Sequence, residues 1–373
     1  MAFNEAGSRA SLGDGPAQLI LELLPEPVLL VRAGPDGTAE IAYGNQAARE
    51  TFRIELAGAP LGGALRRPEV LEAIEESLAT QAAAEVTFET IGVQPRFWRA
   101  FARPLGDGEV VVVLRDETDA RRTERMRADF LANASHELRT PLASLAGFIE
   151  TLRTHARDDP QARDKFLGIM AEQASRMARL IDDLLSLSRI ELNEHIAPSG
   201  RVDLARAVQD VCDAMRPLTA ARSVSVALSV ADAVDLVTGD RDQLVQVIQN
   251  LIDNAVKYTP PGGTVRVTLH AAATLDAATA ASREGVSLPL LSPDAGEAFT
   301  IVRVTDDGPG IARQHLPRLA ERFYRVEGQR TGGTGLGLAI VKHVVNRHRG
   351  GMVVESAEGA GATFSVYFPV ARA

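Results

Sequence analysis

The chain has 373 residues, 45% hydrophobic and 24% charged, with a formal net charge of −9, a globular composition with room for two or three domains of about 100–200 residues. Residues 1–118 carry ten Arg, no Lys and eighteen Asp or Glu, whereas residues 119–373 carry thirty basic and thirty-one acidic residues. That balance argues against nucleic-acid binding, which needs cations to displace phosphate counterions, and the single Cys212 excludes a disulfide framework or Cys/His zinc site and fits a reducing, cytoplasmic compartment.

Residues 1–16 are small and polar and read as a disordered tail, without the basic-plus-apolar pattern of a signal peptide. From residue 17 to 118, short elements alternate with turn signals. Val28–Arg32 and Glu40–Tyr43 read as strands around a Gly34–Gly37 turn, Gln46–Phe52 and Pro68–Gln81 as helices, and Glu85–Ile91, Phe97–Arg103 and Val110–Arg115 as strands. This is a small α/β module. No apolar run, Val110–Leu114 included, approaches the roughly 20 residues that cross a bilayer, so the chain is expected to hold no membrane segment.

At Asp119 the pattern changes to a long helical period. Met126, Phe130, Ala134, Leu138, Leu142, Leu145, Ile149 and Leu152 form one apolar seam. Residues Arg157–Pro160 break it, and a second seam runs through Phe166, Ile169, Met170, Met177, Leu180, Ile181, Leu184, Leu187 and Ile190. The spacing predicts an antiparallel hairpin over 119–196. Two helices cannot enclose a core alone, so the seams predict either a homodimer with a four-helix bundle or a hairpin packed on its own neighbouring domain. Residues 197–373 return to alternating strands and helices, a second α/β domain. Its strand candidates include Arg201–Asp203, Ser223–Ser229, Thr264–Leu269, Thr300–Thr305, Met352–Ser356 and Ala362–Phe368. Helices are expected over Leu204–Met215, Asp240–Tyr258 and Gly337–Arg347, and 271–298 reads as a long flexible connection.

Four constellations carry chemistry. In the first long helix, His136 lies some 200° from Ala134 and Leu138 and so points away from the seam. An imidazole facing water offers a neutral nucleophilic nitrogen at pH 7. Glu137 can orient the ring or take its other proton, Thr140 shares the His136 face, and Pro141 collides with the carbonyl four residues back. Further on, Asn250, Asn254 and Lys257 share one face of a helix. The two amides suit a hydrated Mg2+, and Lys257 suits phosphate; it is one of three lysines beside thirty-seven arginines. In the third, Asp306–Gly310, a strand ends in an acidic pair followed by a glycine turn, and the Asp306 carboxylate can accept from an exocyclic amine such as adenine's. Last, Gly333–Leu338 runs into an apolar helix, and its bare N–H groups suit phosphate. Arg322–Arg325 reads as a cover over the site.

These residues resemble the sensor histidine kinases of two-component systems, and the order of segments is similar to the phosphate-regulon sensor kinases. His136-Glu137-Leu-Arg-Thr140-Pro141 resembles the H box, Asn250 to Tyr258 the N box, Asp306-Asp-Gly308-Pro-Gly310 the first glycine box, Phe323-Tyr324-Arg325 the F box, and Gly333-Thr334-Gly335-Leu336-Gly337-Leu338 the second glycine box. The resemblance implies a multidomain α+β protein with a PAS-like sensor at 17–118. A dimerising histidine-phosphotransfer hairpin at 119–196 and a Bergerat-type α/β sandwich that binds ATP at 197–373 would follow. Tyr43–Ala48 resembles the Asn-led helix start of a PAS domain. The implied reaction moves the ATP γ-phosphate to His136 and then to an aspartate of a cognate response regulator, with Mg2+ on Asn254 and Asn250. Asn250, Asn254, Lys257, Tyr258, Asp306, Gly308, Gly310, Tyr324, Arg325, Gly333, Thr334, Gly335, Leu336 and Gly337 would hold the nucleotide, and Thr140 would position water for regulator dephosphorylation.

Related ATPases place a Glu four residues before the metal-binding Asn, where this chain has Asn250, which cannot take a proton. That favours a kinase over a hydrolase, with an ATP-responsive binding module as a third reading. Such kinases usually begin with membrane segments; without one, either the input is cytosolic or the chain is truncated. All seven histidines lie at or after His136, which leaves the sensor no His for haem, and Cys212 lies outside it.

Overall fold

A computed structural model describes all residues except 1–15, 35–37, 53–56, 91–94, 158, 195, 232–233, 273, 277–285, 292–297, 327–332 and 372–373. Most of the expected tail, the Gly34–Gly37 turn, much of 271–298 and the segment after Val326 lie outside the described residues. The chain forms two compact units, Met1–Leu131 and Ala132–Ala373.

The first unit runs α1 (Pro16–Leu23), β1 (Val28–Ala33), β2 (Ala39–Gly44), α2 (Gln46–Phe52), α3 (Leu61–Ala64), α4 (Pro68–Thr80), β3 (Ala84–Glu89), β4 (Phe97–Gly106) and β5 (Glu109–Asp116). Its antiparallel sheet has the order β2-β1-β5-β4-β3. Strand alternation sends Leu29, Val31, Ile41, Trp98, Ala100, Val110, Val112 and Leu114 to one face, where Val70 and Ile74 of α4 cover them. Residue 16 departs from the expected tail: it opens α1, a position where proline has no helical N–H to lose.

The polar centre of this unit is Asn45, fully buried between β2 and α2. Its Oδ1 accepts from the N–H of Val28 and of Ala48, both at 3.0 Å. Its Nδ2 donates to the carbonyls of Leu21 at 3.0 Å and Glu26 at 2.9 Å. One amide thus caps α2 and ties the chain ahead of β1 to the sheet.

Helix α5 (Thr118–Arg153) begins in the first unit and contributes its later part to the second. Asp159 caps α6 (Pro160–Leu192), accepting from the N–H of Gln161 and Ala162 at 3.0 Å, and Phe148 meets Phe166 with ring centroids 5.3 Å apart. The predicted hairpin therefore forms. Its seams divide: Leu180, Leu187 and Ile190 are buried, whereas Leu142, Ile149 and Ile181 remain exposed.

There follow β6 (Arg201–Val202), α7 (Leu204–Ala221), β7 (Ser225–Val230), β8 (Val237–Thr238), α8 (Arg241–Tyr258), β9 (Thr264–Ala272), β10 (Val286–Leu291), β11 (Phe299–Thr305), α9 (Gly337–Arg347), β12 (Gly351–Ser356) and β13 (Ala362–Pro369). The main sheet has the order β10-β12-β13-β11-β9-β7, with β7 parallel to β9 and the other pairs antiparallel. The registers Val302↔Val366 and Val304↔Phe364 place these buried side chains on one face, and Phe299 and Tyr367 on the other stack edge-on at 5.6 Å.

Two expectations are revised here. Helix α7 continues beyond Met215 to Ala221, through Pro217, because buried Met215 and Thr219 keep its inner face in register. The stretch 286–291, expected to be flexible, is strand β10: Val286 and Leu288 pair with Ser356 and Val354, and Pro289 sits in a strand that ends the sheet, where a missing N–H is tolerated.

Candidate active site

Helix α8 is the base of the site. Asp240 caps it, accepting from Asp242 and Gln243 N–H, and donates its own N–H to His348 Nε2 at 3.0 Å. Leu244, Val247, Ile248, Leu251, Ile252, Ala255 and Val256 are buried, which fixes the opposite face, with Asn250, Asn254 and Lys257, toward a cavity of about 700 Å3. Ligand cavities commonly hold about 300–1,000 Å3.

Of the fourteen predicted nucleotide residues, the cavity is lined by Asn250, Asn254, Lys257, Tyr258, Asp306, Gly310, Tyr324, Arg325, Gly333, Thr334, Gly335 and Gly337. Gly308 and Leu336 do not line it. Gly308 stands behind Asp306: its N–H donates to Asp306 Oδ1 at 2.8 Å, and a Cβ there would lie 2.7 Å from the same oxygen. Leu336 is fully buried as the N-cap residue of α9, so its side chain serves packing. Nor do His136, Glu137 and Thr140 line the cavity. They lie on α5, where His136 is exposed and the Thr140 hydroxyl donates to the His136 carbonyl at 3.2 Å.

The glycines are dictated by close approach. A Cβ on Gly333 would fall 2.5 Å from Lys257 Nζ, so the bare loop lets the ammonium reach the cavity wall. Gly310 has φ +72°, and its Cβ would lie 2.0 Å from the Ala357 carbonyl oxygen. Gly335 has φ +73° and accepts from the Phe323 N–H at 2.9 Å, which ties the cover segment to the loop. Within that cover, the Tyr324 hydroxyl lies 2.7 Å from His315 Nδ1, and the Arg318 guanidinium lies over its ring.

The residues fit a magnesium nucleotide. Asn250 Nδ2 is buried without a hydrogen-bond partner among the described residues, a donor suited to a phosphate oxygen. No cluster of three His, Cys, Asp or Glu that could hold a metal occurs among the described residues. A cation here would therefore rely on amide oxygens and on phosphate, as Mg2+ commonly does.

A wall of the cavity not expected from the sequence comes from α6. Glu172, Gln173, Arg176, Arg179, Asp182 and Asp183 line it, at helical spacing alongside the apolar seam, with Arg176 and Asp183 each one turn before Leu180 and Leu187. That polar stripe was visible in the sequence, but its use depends on where the helix docks. Asp183 Oδ2 accepts from the Thr334 hydroxyl at 2.8 Å, and Ser186 donates to Gln246 at 3.0 Å. Arg322 pairs with Glu191 at 2.6 Å, and Asn346 donates to Glu194 at 2.7 Å. Burial pushes the Asp183 carboxyl above its ordinary range, opposed by the Thr334 hydrogen bond and reinforced by Asp182 and Asp253.

Comparison with known proteins identifies the family of both segments. Residues 126–193 match the His Kinase A (phospho-acceptor) domain, and residues 239–372 match the histidine kinase-, DNA gyrase B- and HSP90-like ATPase family. The chain is 38% identical over 270 residues to the phosphate regulon sensor protein PhoR of Pseudomonas aeruginosa, covering 72% of this chain and 55% of that protein. It is 34% identical over 263 residues to the sensor-like histidine kinase SenX3 of Mycolicibacterium smegmatis, covering 69% and 62%. The chain thus spans a little over half the length of these relatives. Among solved structures, histidine kinase ThkA, in complex with the response regulator protein TrrA, aligns over 94% of this chain and 98% of that one with a TM-score of 0.51. At 18% identity, that is a likeness of fold alone. A phospho-acceptor domain carrying His136, followed by an ATPase domain carrying the cavity, makes this chain a member of the sensor histidine kinase family.

Proposed function

We propose that the chain is an ATP-dependent histidine autokinase that phosphorylates His136 and passes the phosphoryl group to an aspartate of a response regulator. The observation that carries this reading is the shared wall: the cavity holding the nucleotide motifs is bounded by α6, the hairpin partner of the helix that bears His136. Asp306 would receive the adenine amine, and Lys257 and the Gly333–Gly337 loop would hold the phosphates. Mg2+ on the Asn254 and Asn250 oxygens would offset the charge of the phosphates. With an amide at Asn250 rather than a carboxylate, that position provides no base for water, and exposed His136 is the acceptor. Transfer then depends on positioning and charge neutralisation.

The same proposal takes the chain as a homodimer, supported by the exposed seam residues Leu142, Ile149 and Ile181. It takes Thr140 as the residue that places water for regulator dephosphorylation. Residues 17–118 would be a PAS sensor, supported by the helices inserted in a five-stranded antiparallel sheet and by the Asn45-led start of α2. No helix among the described residues is long and apolar enough to cross a membrane; a cytoplasmic placement rests on the single cysteine. Incubation with γ-labelled ATP should give acid-labile, alkali-stable label on the chain. Unchanged labelling of His136→Ala refutes the assignment, and sustained phosphate release by that variant favours an ATPase.

A further inference from the structure

One α6 side chain touches both the cavity and the residue beside His136. Arg176 lines the cavity one turn before Arg179, and its Nη2 lies 3.1 Å from Glu137 Oε2. The two side chains are 33% and 36% exposed, and such a pair contributes about 0–1 kcal/mol to stability. That is too little to explain Arg176 as a staple of a hairpin already closed by Phe148 and Phe166 and capped by Asp159. A carboxylate engaged by a guanidinium is a poorer acceptor for a second donor such as an imidazole N–H. The terminal phosphoryl group of a triphosphate offers more charge and three oxygens, and guanidinium binds phosphate through two parallel hydrogen bonds. The chain therefore places Arg176 within reach of two anionic partners on the route of the phosphoryl group.

We propose that Arg176 is a catalytic residue for phosphoryl transfer, exchanging the Glu137 carboxylate for the terminal phosphoryl group of ATP and so leaving Glu137 free for the His136 imidazole. This rests on the autokinase reading. One imidazole nitrogen forms the N–P bond while the bond from the γ-phosphorus to the bridging oxygen breaks, its electron pair leaving with ADP. The proton on the other ring nitrogen passes to Glu137, and Arg176 balances charge on the oxygens in flight. Lys257 serves the phosphates from α8, and Arg176 serves the transferred group from α6.

The test is single-turnover labelling of His136 in the full chain at saturating MgATP, alongside MgADP affinity and the unfolding midpoint. Arg176→Gln should slow labelling by about 100-fold, in the range of a lost donor to developing charge, while MgADP affinity and the midpoint stay at parental values. Arg176→Lys should restore part of the rate. In a Glu137→Gln background, Arg176→Gln should still cost about 30-fold or more, because Arg176 acts on the phosphoryl oxygens and Glu137 on the imidazole. Parental labelling in Arg176→Gln overturns the proposal and leaves the kinase reading intact, and so does a further loss of about threefold or less in the Glu137→Gln background, which would confine Arg176 to holding Glu137. A lowered midpoint without rescue by lysine reduces Arg176 to a structural residue. Absence of label on the unsubstituted chain overturns the kinase reading itself.

Discussion

Asn45→Ala is a sharp test of how the first unit is held together. The side chain is fully buried and satisfies two backbone donors, Val28 N–H and Ala48 N–H, each at 3.0 Å. Alanine leaves both without a partner, and each buried unsatisfied group costs about 1–3 kcal/mol. The second donor is also the cap of α2, whose loss costs about 1 kcal/mol on its own, so the two estimates overlap there. The carbonyls of Leu21 and Glu26 lose a donor as well, but these groups are only part-buried and water can replace it. The expected loss is about 3–5 kcal/mol. Trp98, the one tryptophan of the chain, sits in the core of this unit, so its fluorescence reports the unit's own unfolding. With a urea slope of about 1–3 kcal/mol per molar, the Trp98 midpoint should fall by more than about 1 M. A shift below about 0.3 M at unchanged slope would show that Asn45 is not the organising contact.

Three further outcomes follow from the second unit. Gly333→Ala should weaken MgADP binding by about tenfold or more, because its Cβ would displace Lys257 Nζ 2.5 Å away; calorimetric titration at parental affinity would refute this. Asp183 is an acid whose folded-state pKa is raised by burial, so its contribution to stability is full below the ordinary carboxylate range and is lost as pH rises through the raised value, while the Thr334 hydroxyl, donating to the ionised form, opposes that loss. Asp183→Asn keeps an acceptor for the Thr334 hydroxyl without the charge beside the phosphate loop, and should tighten MgADP binding by about fivefold at pH 7; weaker binding would mean that the carboxylate assists the nucleotide. His348 is buried with its pKa lowered, mainly by that burial, and holds Asp240 N–H through Nε2. A depressed pKa contributes stability that is present above about 6.5 and lost as pH falls through the folded value, with a limiting slope of about 1.4 kcal/mol per pH unit. Thermal unfolding across pH 5–8 should show this loss in the parental chain and less of it in His348→Gln, and equal slopes would sink the assignment.

The parts of the molecule legible in the sequence are those where period and chemistry coincide. The heptad-like seams yield α5 and α6, and the helical spacing of Asn250, Asn254 and Lys257 puts all three on the cavity face. Glycine-led turns placed Gly310, Gly333 and Gly335 where a Cβ would clash. Strand β10 escaped because its short apolar alternation lies inside a stretch rich in Ala, Ser and Gly, and only pairing with β12 makes it a strand. Leu336 stands apart from its neighbours in the motif because a motif groups residues by sequence, whereas its side chain turns into the core below the loop. The α6 stripe of Glu172, Arg176, Arg179, Asp182 and Asp183 is an ordinary solvated helix face until the hairpin meets α8 and the glycine loop. Long-range docking of that kind has no local signature.

The strand recovered from the long connection has a consequence for solubility. Without β10, strand β12 would end the sheet with a row of unpaired backbone groups flanked by Val353 and Val354, a template for another extended chain. Covering that row with a short strand moves the margin of the sheet to a segment that carries Pro289, which interrupts further pairing. The insertion thereby acts as a hem on the catalytic sheet. Shortening the connection to a tight turn would leave the nucleotide cavity intact yet make the protein prone to self-association.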